Sequence, residues 1–164
     1  GKTKFLTETA TTLRENGIDV GGVYTKKIRE NDEITAYLIV NVATGEEYPL
    51  LQKNELESEL RIGAFSIDAE GLEFGKKNIV KSFDSRVLMI DEIGKLEMSG
   101  GGWHNELNLL PLEKQLYILL SIRQEFVEDV IEKWSLHPAA IYNVAECNPE
   151  ILIQEITAYL KEGR

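Results

Sequence analysis

The strongest constraint on the fold comes from three short apolar runs in the second half of the chain. They read "RVLMID" at 86–91, "QLYILLSI" at 115–122 and "AAIYNV" at 139–144. Such runs are typical of strands buried on both faces of a sheet. Helical patterns lie between and after them: "QEFVEDVIEKW" repeats apolar residues every four positions, and Asn148-Pro149 opens an amphipathic segment through Ile151, Ile156 and Leu160. Strands alternating with helices predict parallel βαβ units and an α/β fold.

The first half of the chain predicts a helix followed by an antiparallel region. Apolar residues recur at helical spacing from Thr3 to Asn16, and Gly17 suits the left-handed conformation that ends a helix. Four β-rich runs follow: "IDVGGVYTKKIR", "EITAYLIVNV", "EEYPLL" and "RIGAFSID". Short links such as "END" and "ATGEE" favour hairpins between them. Another helix is expected over "EGLEFGKKNIVKSF".

Length, composition and charge limit the number of domains and the kinds of partner that the protein can have. The 164 residues are 43% hydrophobic and 28% charged, which suits one domain over residues 1–164. A net charge of −10 opposes an extended nucleic-acid surface, although a local anion pocket remains possible. The single cysteine, Cys147, excludes an intramolecular disulfide and fits a cytoplasmic setting. No apolar run approaches the roughly 18 residues of a membrane span.

The first three residues resemble the end of a phosphate-binding signature. Gly1, Lys2 and Thr3 match the last three positions of G-x-x-x-x-G-K-[ST], and the predicted helix follows them directly. In such a site the amides at the helix N-terminus and the lysine contact phosphates, and the threonine hydroxyl ligates Mg²⁺. The competing interpretation is a chance tripeptide.

The second candidate feature is the acidic pair Asp91-Glu92, which ends the apolar run "RVLMID". An Asp at such a strand tip holds the Mg²⁺ shell in phosphoryl-transfer sites, and a neighbouring Glu can activate water. Successive strand side chains point in opposite directions, so both serve one site only if the backbone turns at Glu92, which Gly94 would assist. The alternative is a pair of solvated carboxylates after a buried strand.

Together these motifs and the segments between them resemble the THEP1-type nucleoside-triphosphatase family, also called cancer-related nucleoside-triphosphatases. The resemblance rests on "GKT", "GGVYTKKIRE", "ATGEEYPL", "RIGAFSID" and above all "VLMIDEIGKLEM", and is looser at "YNVAECNPEIL". It implies a three-layer P-loop α/β fold with a mainly parallel central sheet and an inserted antiparallel β region. It also implies Mg²⁺-dependent hydrolysis of nucleoside triphosphates to the diphosphate and phosphate, with broad base tolerance.

The resemblance also implies roles for individual residues. Phosphate binding falls on Gly1, Lys2 and Thr3, the Mg²⁺ ligands are Thr3 and Asp91, and the catalytic residues are Glu92, Lys2 and Arg29. The chain departs from the family at Lys26 and Lys27, where an acidic residue is usual, and in the "SGGGW" stretch beyond the acidic pair. We further expect a strand and the start of the phosphate loop upstream of Gly1.

The remaining candidates have both a functional and a plain structural interpretation. Lys95 could approach phosphates or pair with Glu97, and Trp103, after three glycines that suggest a hinge or mobile loop, could stack on a base or pack in the core. His104, His137 and Cys147 are interpreted as structural or solvated residues.

Two other functions stay open on sequence grounds. A nucleotide or small-molecule kinase of the same fold would need an acceptor site, and no acceptor signature is recognisable. A nucleotide-binding switch or scaffold with little turnover could use the glycine-rich stretch 100–102 as its responsive element. The neighbouring Asp91 and Glu92 favour the hydrolase.

Overall fold

The computed structural model describes residues 1–54 and 61–162 of the protein. The helices are α1 (Lys2–Glu15), α2 (Ala69–Lys81), α3 (Lys95–Met98), α4 (His104–Asn108), α5 (Val127–Lys133) and α6 (Pro149–Glu162). The strands are β1 (Val20–Glu30), β2 (Glu33–Asn41), β3 (Glu47–Lys53), β4 (Arg61–Ile62), β5 (Phe65–Ile67), β6 (Val87–Ile93) and β7 (Tyr117–Ile122).

Helix α1 forms where the apolar spacing predicts it. Its buried face carries the apolar residues Phe5, Leu6, Ala10 and Leu13. Gly17 follows with a φ of 80°, a left-handed conformation that glycine adopts without the steric cost of a Cβ atom. The Ile18 amide then donates to the Leu13 carbonyl, which leads the chain towards β1. The predicted helix and its stop are therefore confirmed.

Seven strands form one sheet in the order β4-β5-β3-β2-β1-β6-β7 among the described residues. The β1–β6 and β6–β7 pairs are parallel, whereas β2, β3, β5 and β4 extend the sheet in antiparallel fashion from the other side of β1. The antiparallel region is thus confirmed. The expectation of a mainly parallel sheet applies only to the half that contains β1, β6 and β7, because the short links between the early strands enforce hairpins.

Strand β6 lies at the centre of the core. Val87 and Met89 pack on one face of the sheet with α1 and α6, while Leu88 and Ile90 pack on the other with α2, α4 and α5. All four side chains are inaccessible to solvent. Side chains of β6 alternate between the two faces of the sheet and are apolar on both, which explains the continuous apolar run. The helices packed on the two faces make three layers, with the sheet in the middle.

The third apolar run, 139–144, is not a strand, so that prediction is wrong. Strand β7 is the last strand on its side of the described sheet, and a cavity of about 370 Å³ separates it from the 136–144 segment. With no neighbouring strand within reach, the backbone of this run has no ladder to join. A smaller correction concerns α6, whose buried residues are Leu152, Ile156 and Leu160, while Ile151 is exposed.

The glycine-rich stretch 100–102 forms a defined turn. The Gly101 amide donates to the Leu96 carbonyl at 2.9 Å, and the turn leads into α4. Trp103 is 4% exposed and lies against α2, where a Cβ atom on Gly75 would come within 2.3 Å of the indole ring. The core interpretation of Trp103 is therefore correct, and base stacking by this residue is excluded by its burial.

Candidate active site

Helix α1 presents an uncapped N-terminus at the sheet. Gly1 occupies the N-cap position and supplies no side-chain hydrogen bond, and the first turn contains no acidic residue. The first helical bond runs from the Phe5 amide to the Gly1 carbonyl, so the amides of residues 2–4 precede the hydrogen-bonded ladder. These amides and the helix dipole favour a bound anion at this point.

Asp91 faces this helix end from the carboxyl end of β6. Its carboxylate is 1% exposed, and the Thr3 hydroxyl donates to Oδ2 at 2.8 Å. The amide of Thr25, on β1, makes a longer contact of 3.4 Å with the same oxygen. The fold therefore brings the first candidate motif and the second into direct contact.

The other oxygen of Asp91 is held by a residue that the sequence analysis did not single out. Ser121, on β7, donates its hydroxyl to Asp91 Oδ1 at 2.5 Å and accepts a 2.9 Å hydrogen bond from the Glu92 amide. Ser121 stands at the end of the apolar run "QLYILLSI", just as Asp91 ends "RVLMID". A polar residue at the carboxyl end of a neighbouring parallel strand was the signal that could have revealed it.

Glu92 leaves the regular strand. Its φ is 65°, a left-handed value that is uncommon outside glycine, and its side chain is exposed beside the buried Asp91. The backbone turn expected at Glu92 therefore occurs. Gly94 contributes differently: it is extended, and its lack of a side chain admits Arg123, whose Cδ would lie 3.1 Å from a Cβ atom there.

Two arginines are candidate partners for a phosphate group. Arg29 lies on an exposed part of β1 that pairs only with β2, four residues beyond Thr25, or roughly 13 Å along a strand. Arg123 follows β7 and sits at the same end of the sheet as Glu92, with its amide donating to the Ile93 carbonyl at 3.1 Å. Its guanidinium pairs with exposed Glu125 at 3.2 Å. The sequence analysis singled out only Arg29.

Lys2 stands between the candidate site and the cavity beside β7. It is the first residue of α1, is partly buried, and lines that cavity together with Phe5 and Leu6. Its position immediately before Thr3 brings it to the helix end that faces Asp91. Gly1 is exposed at the same end.

The remaining polar candidates lie outside this group. Lys95 is exposed whereas Glu97 is buried, and no ion pair of Lys95 is found in residues 1–54 and 61–162. His104 contacts the Glu97 carbonyl through Nδ1 at 2.9 Å and packs edge-on against Trp134. His137 is exposed, and Cys147 is half-buried. The expected pairing of Lys95 with Glu97 is therefore not seen among the described residues, whereas the structural interpretations of His104, His137 and Cys147 fit their surroundings.

The oxygen atoms at the site that could ligate a metal suit a hard divalent cation better than a transition metal. The Thr3 hydroxyl and the Asp91 carboxylate form a small set that resembles a Mg²⁺ site completed by phosphate and water oxygens. In the described part of the chain, no group of three His, Cys, Asp or Glu side chains is arranged to hold a metal. A fully protein-ligated metal centre is thus not present among those residues.

Membrane insertion by a helix is not supported within the described ranges. None of the helices in residues 1–54 and 61–162 combines the length and apolar character needed for a bilayer span.

Sequence comparison assigns this chain to a family. A family model described as NTPase matches residues 1–157. Proteins named nucleoside-triphosphatase THEP1 align with nearly the whole chain: that of Caldivirga maquilingensis is 23% identical over 98% of this chain and 89% of its own length, and that of Methanocaldococcus jannaschii is 26% identical over 98% and 94%.

Solved structures give the same result for the fold. A human cancer-related nucleoside triphosphatase matches 100% of this chain and 93% of its own, with a TM-score of 0.72 and 21% identity. THEP1 from Aquifex aeolicus matches 98% and 93%, with a TM-score of 0.71 and 18% identity. The architecture is therefore a mixed α/β fold like theirs. With the family match across almost its entire length, this chain belongs to the NTPase family whose matched relatives are named THEP1.

Proposed function

We propose that this protein hydrolyses nucleoside triphosphates, ATP and GTP among them, to the diphosphate and phosphate in a Mg²⁺-dependent reaction. The observation that carries the proposal is the 2.8 Å hydrogen bond between Thr3 and Asp91, which joins two motifs separated by 88 positions. Membership of a family whose matched relatives are named nucleoside-triphosphatases supports the same activity.

The phosphates would lie at the N-terminus of α1. The amides of residues 2–4 and the helix dipole supply fixed positive potential, and no carboxylate in the first turn opposes it. Lys2 adds a full charge at the same place and would contact the terminal phosphates. A site of this kind works mainly by positioning and charge stabilisation.

Thr3 and Asp91 would hold Mg²⁺ through the hydroxyl oxygen and the carboxylate. A bound magnesium ion would neutralise charge on the phosphate oxygens during the reaction. Asp91 is buried and keeps its orientation through hydroxyl donors on both of its oxygens, which pre-organises the ligand.

Glu92 is the proposed general base. Its exposed carboxylate would accept a proton from a water molecule as the water oxygen bonds to the γ-phosphorus. The bond between that phosphorus and the bridging oxygen then breaks, and the nucleoside diphosphate leaves with the bonding electrons. The left-handed backbone at Glu92 supports this role, because it releases the side chain from the alternation of β6.

We also propose the P-loop form of the α/β fold, as a single domain over residues 1–164. The parallel β1–β6 and β6–β7 pairs and the helix that follows Gly1 support this form. A cytoplasmic location is proposed on the basis of the single, unpaired cysteine.

Release of inorganic phosphate tests the function directly. Purified protein is incubated with ATP or GTP and with or without Mg²⁺, in the absence of any acceptor. We expect steady phosphate release that requires the metal. A kinase would release almost none without an acceptor, and a binding switch would retain the nucleotide unchanged over hours; either result would reject the hydrolase.

A further inference from the structure

Ser121 connects the two adjacent acidic residues of the site through one hydroxyl group. The side chain is 6% exposed and lies on β7, beside the end of β6. Its Oγ donates to Asp91 Oδ1 at 2.5 Å and accepts from the Glu92 amide at 2.9 Å. Both hydrogen-bonding functions of the hydroxyl are therefore used on neighbouring residues.

The contact falls where the ladder between the two strands is interrupted. Residues 87–90 of β6 pair in register with residues 117–120 of β7, and pairing resumes only between Ile93 and Ile122. The Glu92 amide thus has no backbone partner in this ladder, and the Ser121 hydroxyl takes that place. Without this partner the amide would be left unpaired at a partly buried position, which is unfavourable.

The same contact supports the unusual backbone at Glu92. A left-handed conformation is unfavourable for a residue with a Cβ atom, because that atom approaches the following carbonyl oxygen. It persists only when neighbouring groups hold it in place. Ser121 supplies one such restraint at the amide, and the extended Gly94 leaves room for Arg123 on the following side.

The two oxygens of Asp91 have separate hydroxyl donors. Thr3 approaches Oδ2 from α1, and Ser121 approaches Oδ1 from β7. The carboxylate plane is thereby fixed from both sides. Removal of the Ser121 hydroxyl would leave Oδ1 without this partner and would allow the carboxylate to rotate away from Thr3.

We propose that Ser121 is a positioning residue for hydrolysis, holding Glu92 in the turned conformation in which its carboxylate serves as base and fixing Asp91 as the metal ligand. This inference rests on the proposed function. It predicts that part of the effect of Ser121 on turnover passes through Glu92, so the two residues should be energetically coupled.

The experiment uses Ser121→Ala, the isosteric pair Ser121→Thr and Ser121→Val, and Ser82→Ala as a matched control. Ser82 is also a buried serine that accepts a backbone amide, from Gly22, and donates to a carbonyl, of Asn78. Turnover, KM and nucleotide affinity are measured well below each variant's melting temperature. The Thr and Val variants differ only in the hydroxyl, so they test the idea even if the alanine variant does not fold.

We expect Ser121→Ala and Ser121→Val to lose about 10–100-fold in kcat, the range seen when groups that orient metal ligands are removed, with nucleotide affinity changed less than about threefold. Ser121→Thr should recover most of the rate, and Ser82→Ala should keep it. In a Glu92→Gln background, Ser121→Ala should cause a smaller further loss than it causes in the wild type, because the contribution through Glu92 is already gone and only the one through Asp91 remains.

The possible failures are distinct. Wild-type turnover in Ser121→Val would overturn the positioning role, and an equal loss in the presence and absence of Glu92 would overturn the positioning of Glu92; both outcomes leave the hydrolase intact. Absence of phosphate release from the wild-type protein would overturn the proposed function and this inference together.

Discussion

The Thr3 hydroxyl lies 2.8 Å from the buried carboxylate of Asp91 and donates a hydrogen bond to it. One residue begins the first helix and the other ends a central strand, so the contact exists only when α1 packs against the sheet. The two motifs therefore form one site through the tertiary fold.

Thr3→Ala should reduce Mg²⁺-dependent turnover by about 10–100-fold and raise the Mg²⁺ concentration needed for half-maximal rate, because it removes a ligand and a hydrogen-bond donor to Asp91. Thr3→Ser keeps the hydroxyl and should stay within a few-fold of the wild type. Thr7→Ala is the control, since the Thr7 hydroxyl only donates to the Lys4 carbonyl on the same helix. An unchanged Mg²⁺ titration for Thr3→Ala would contradict the assignment.

Glu92→Gln should spare nucleotide binding and lower turnover by about 10²–10⁴-fold, the contribution expected from a general base. The substitution keeps the size of the side chain and the backbone amide that donates to Ser121. Glu128→Gln, an exposed glutamate on α5, is a control for the change in net charge. Binding is followed with a fluorescent nucleotide and turnover by phosphate release; hydrolysis by Glu92→Gln at the wild-type rate would reject the role.

Phosphate release also measures how much Arg29 and Arg123 each contribute to turnover. Arg29 was selected from family resemblance, whereas Arg123 lies beside Gly94 and at the end of the sheet that carries Glu92. If the family resemblance identifies the charge-stabilising arginine correctly, Arg29→Ala should lower kcat by about 10³-fold or more, and Arg123→Ala should have a small effect. The reverse order would assign the charge-stabilising role to Arg123. Lysine replacements keep the charge and separate electrostatics from the geometry of a bidentate contact.

The sequence predicted local structure and the strongest motifs well, but not contacts that depend on neighbouring strands. The helix over Lys2–Glu15 and the strand Val87–Ile93 follow from periodicity and continuous burial. The run 139–144 has equal β character, yet it lies across a cavity from β7 and forms no strand. A strand forms only beside another strand with which it can hydrogen-bond. The spacing of apolar residues in the sequence does not say which sheet edge is available for this pairing.

The same reasoning explains why part of the site was missed. Asp91 was identifiable because the acidic pair after an apolar run occurs in the same chain as Gly1-Lys2-Thr3. Ser121 gives a weaker signal, since a lone serine at a strand end is common in loops and sheets alike. Its role becomes visible only in the register that places β7 beside β6.

Gly75→Ala should destabilise the protein although alanine favours helices. The new methyl group would lie 2.3 Å from the Trp103 ring, so either the indole or α2 must move. Overpacking of this kind costs about 1–3 kcal/mol, against a gain of about 1 kcal/mol in helix propensity. Urea unfolding should show a lower midpoint, with Glu73→Ala at an exposed position of the same helix as control. A higher urea midpoint for Gly75→Ala would contradict this prediction, because it would mean that Trp103 can move without destabilising the protein.

Glu97→Gln should change how stability depends on pH. The Glu97 side chain is 3% exposed, and burial raises its pKa from 4.5 to about 7, with the negative charge of Glu92 a smaller contribution in the same direction. As pH rises above 4.5, the unfolded chain loses this proton while the folded protein keeps it. The native state then binds more protons, so the free energy of unfolding falls until pH reaches about 7.

The buried Glu97 side chain therefore carries no ionisation penalty below pH 4.5, where it is protonated, and costs on the order of 3 kcal/mol above pH 7, since each pKa unit corresponds to about 1.4 kcal/mol. Glutamine cannot ionise, so the advantage of Glu97→Gln over the wild type should grow between pH 5 and pH 8. Urea unfolding of the wild type, Glu97→Gln and the exposed control Glu128→Gln, at unit steps of pH, measures this difference. Parallel stability curves for Glu97→Gln and the wild type would mean that the Glu97 carboxylate ionises as easily in the folded protein as in the unfolded chain.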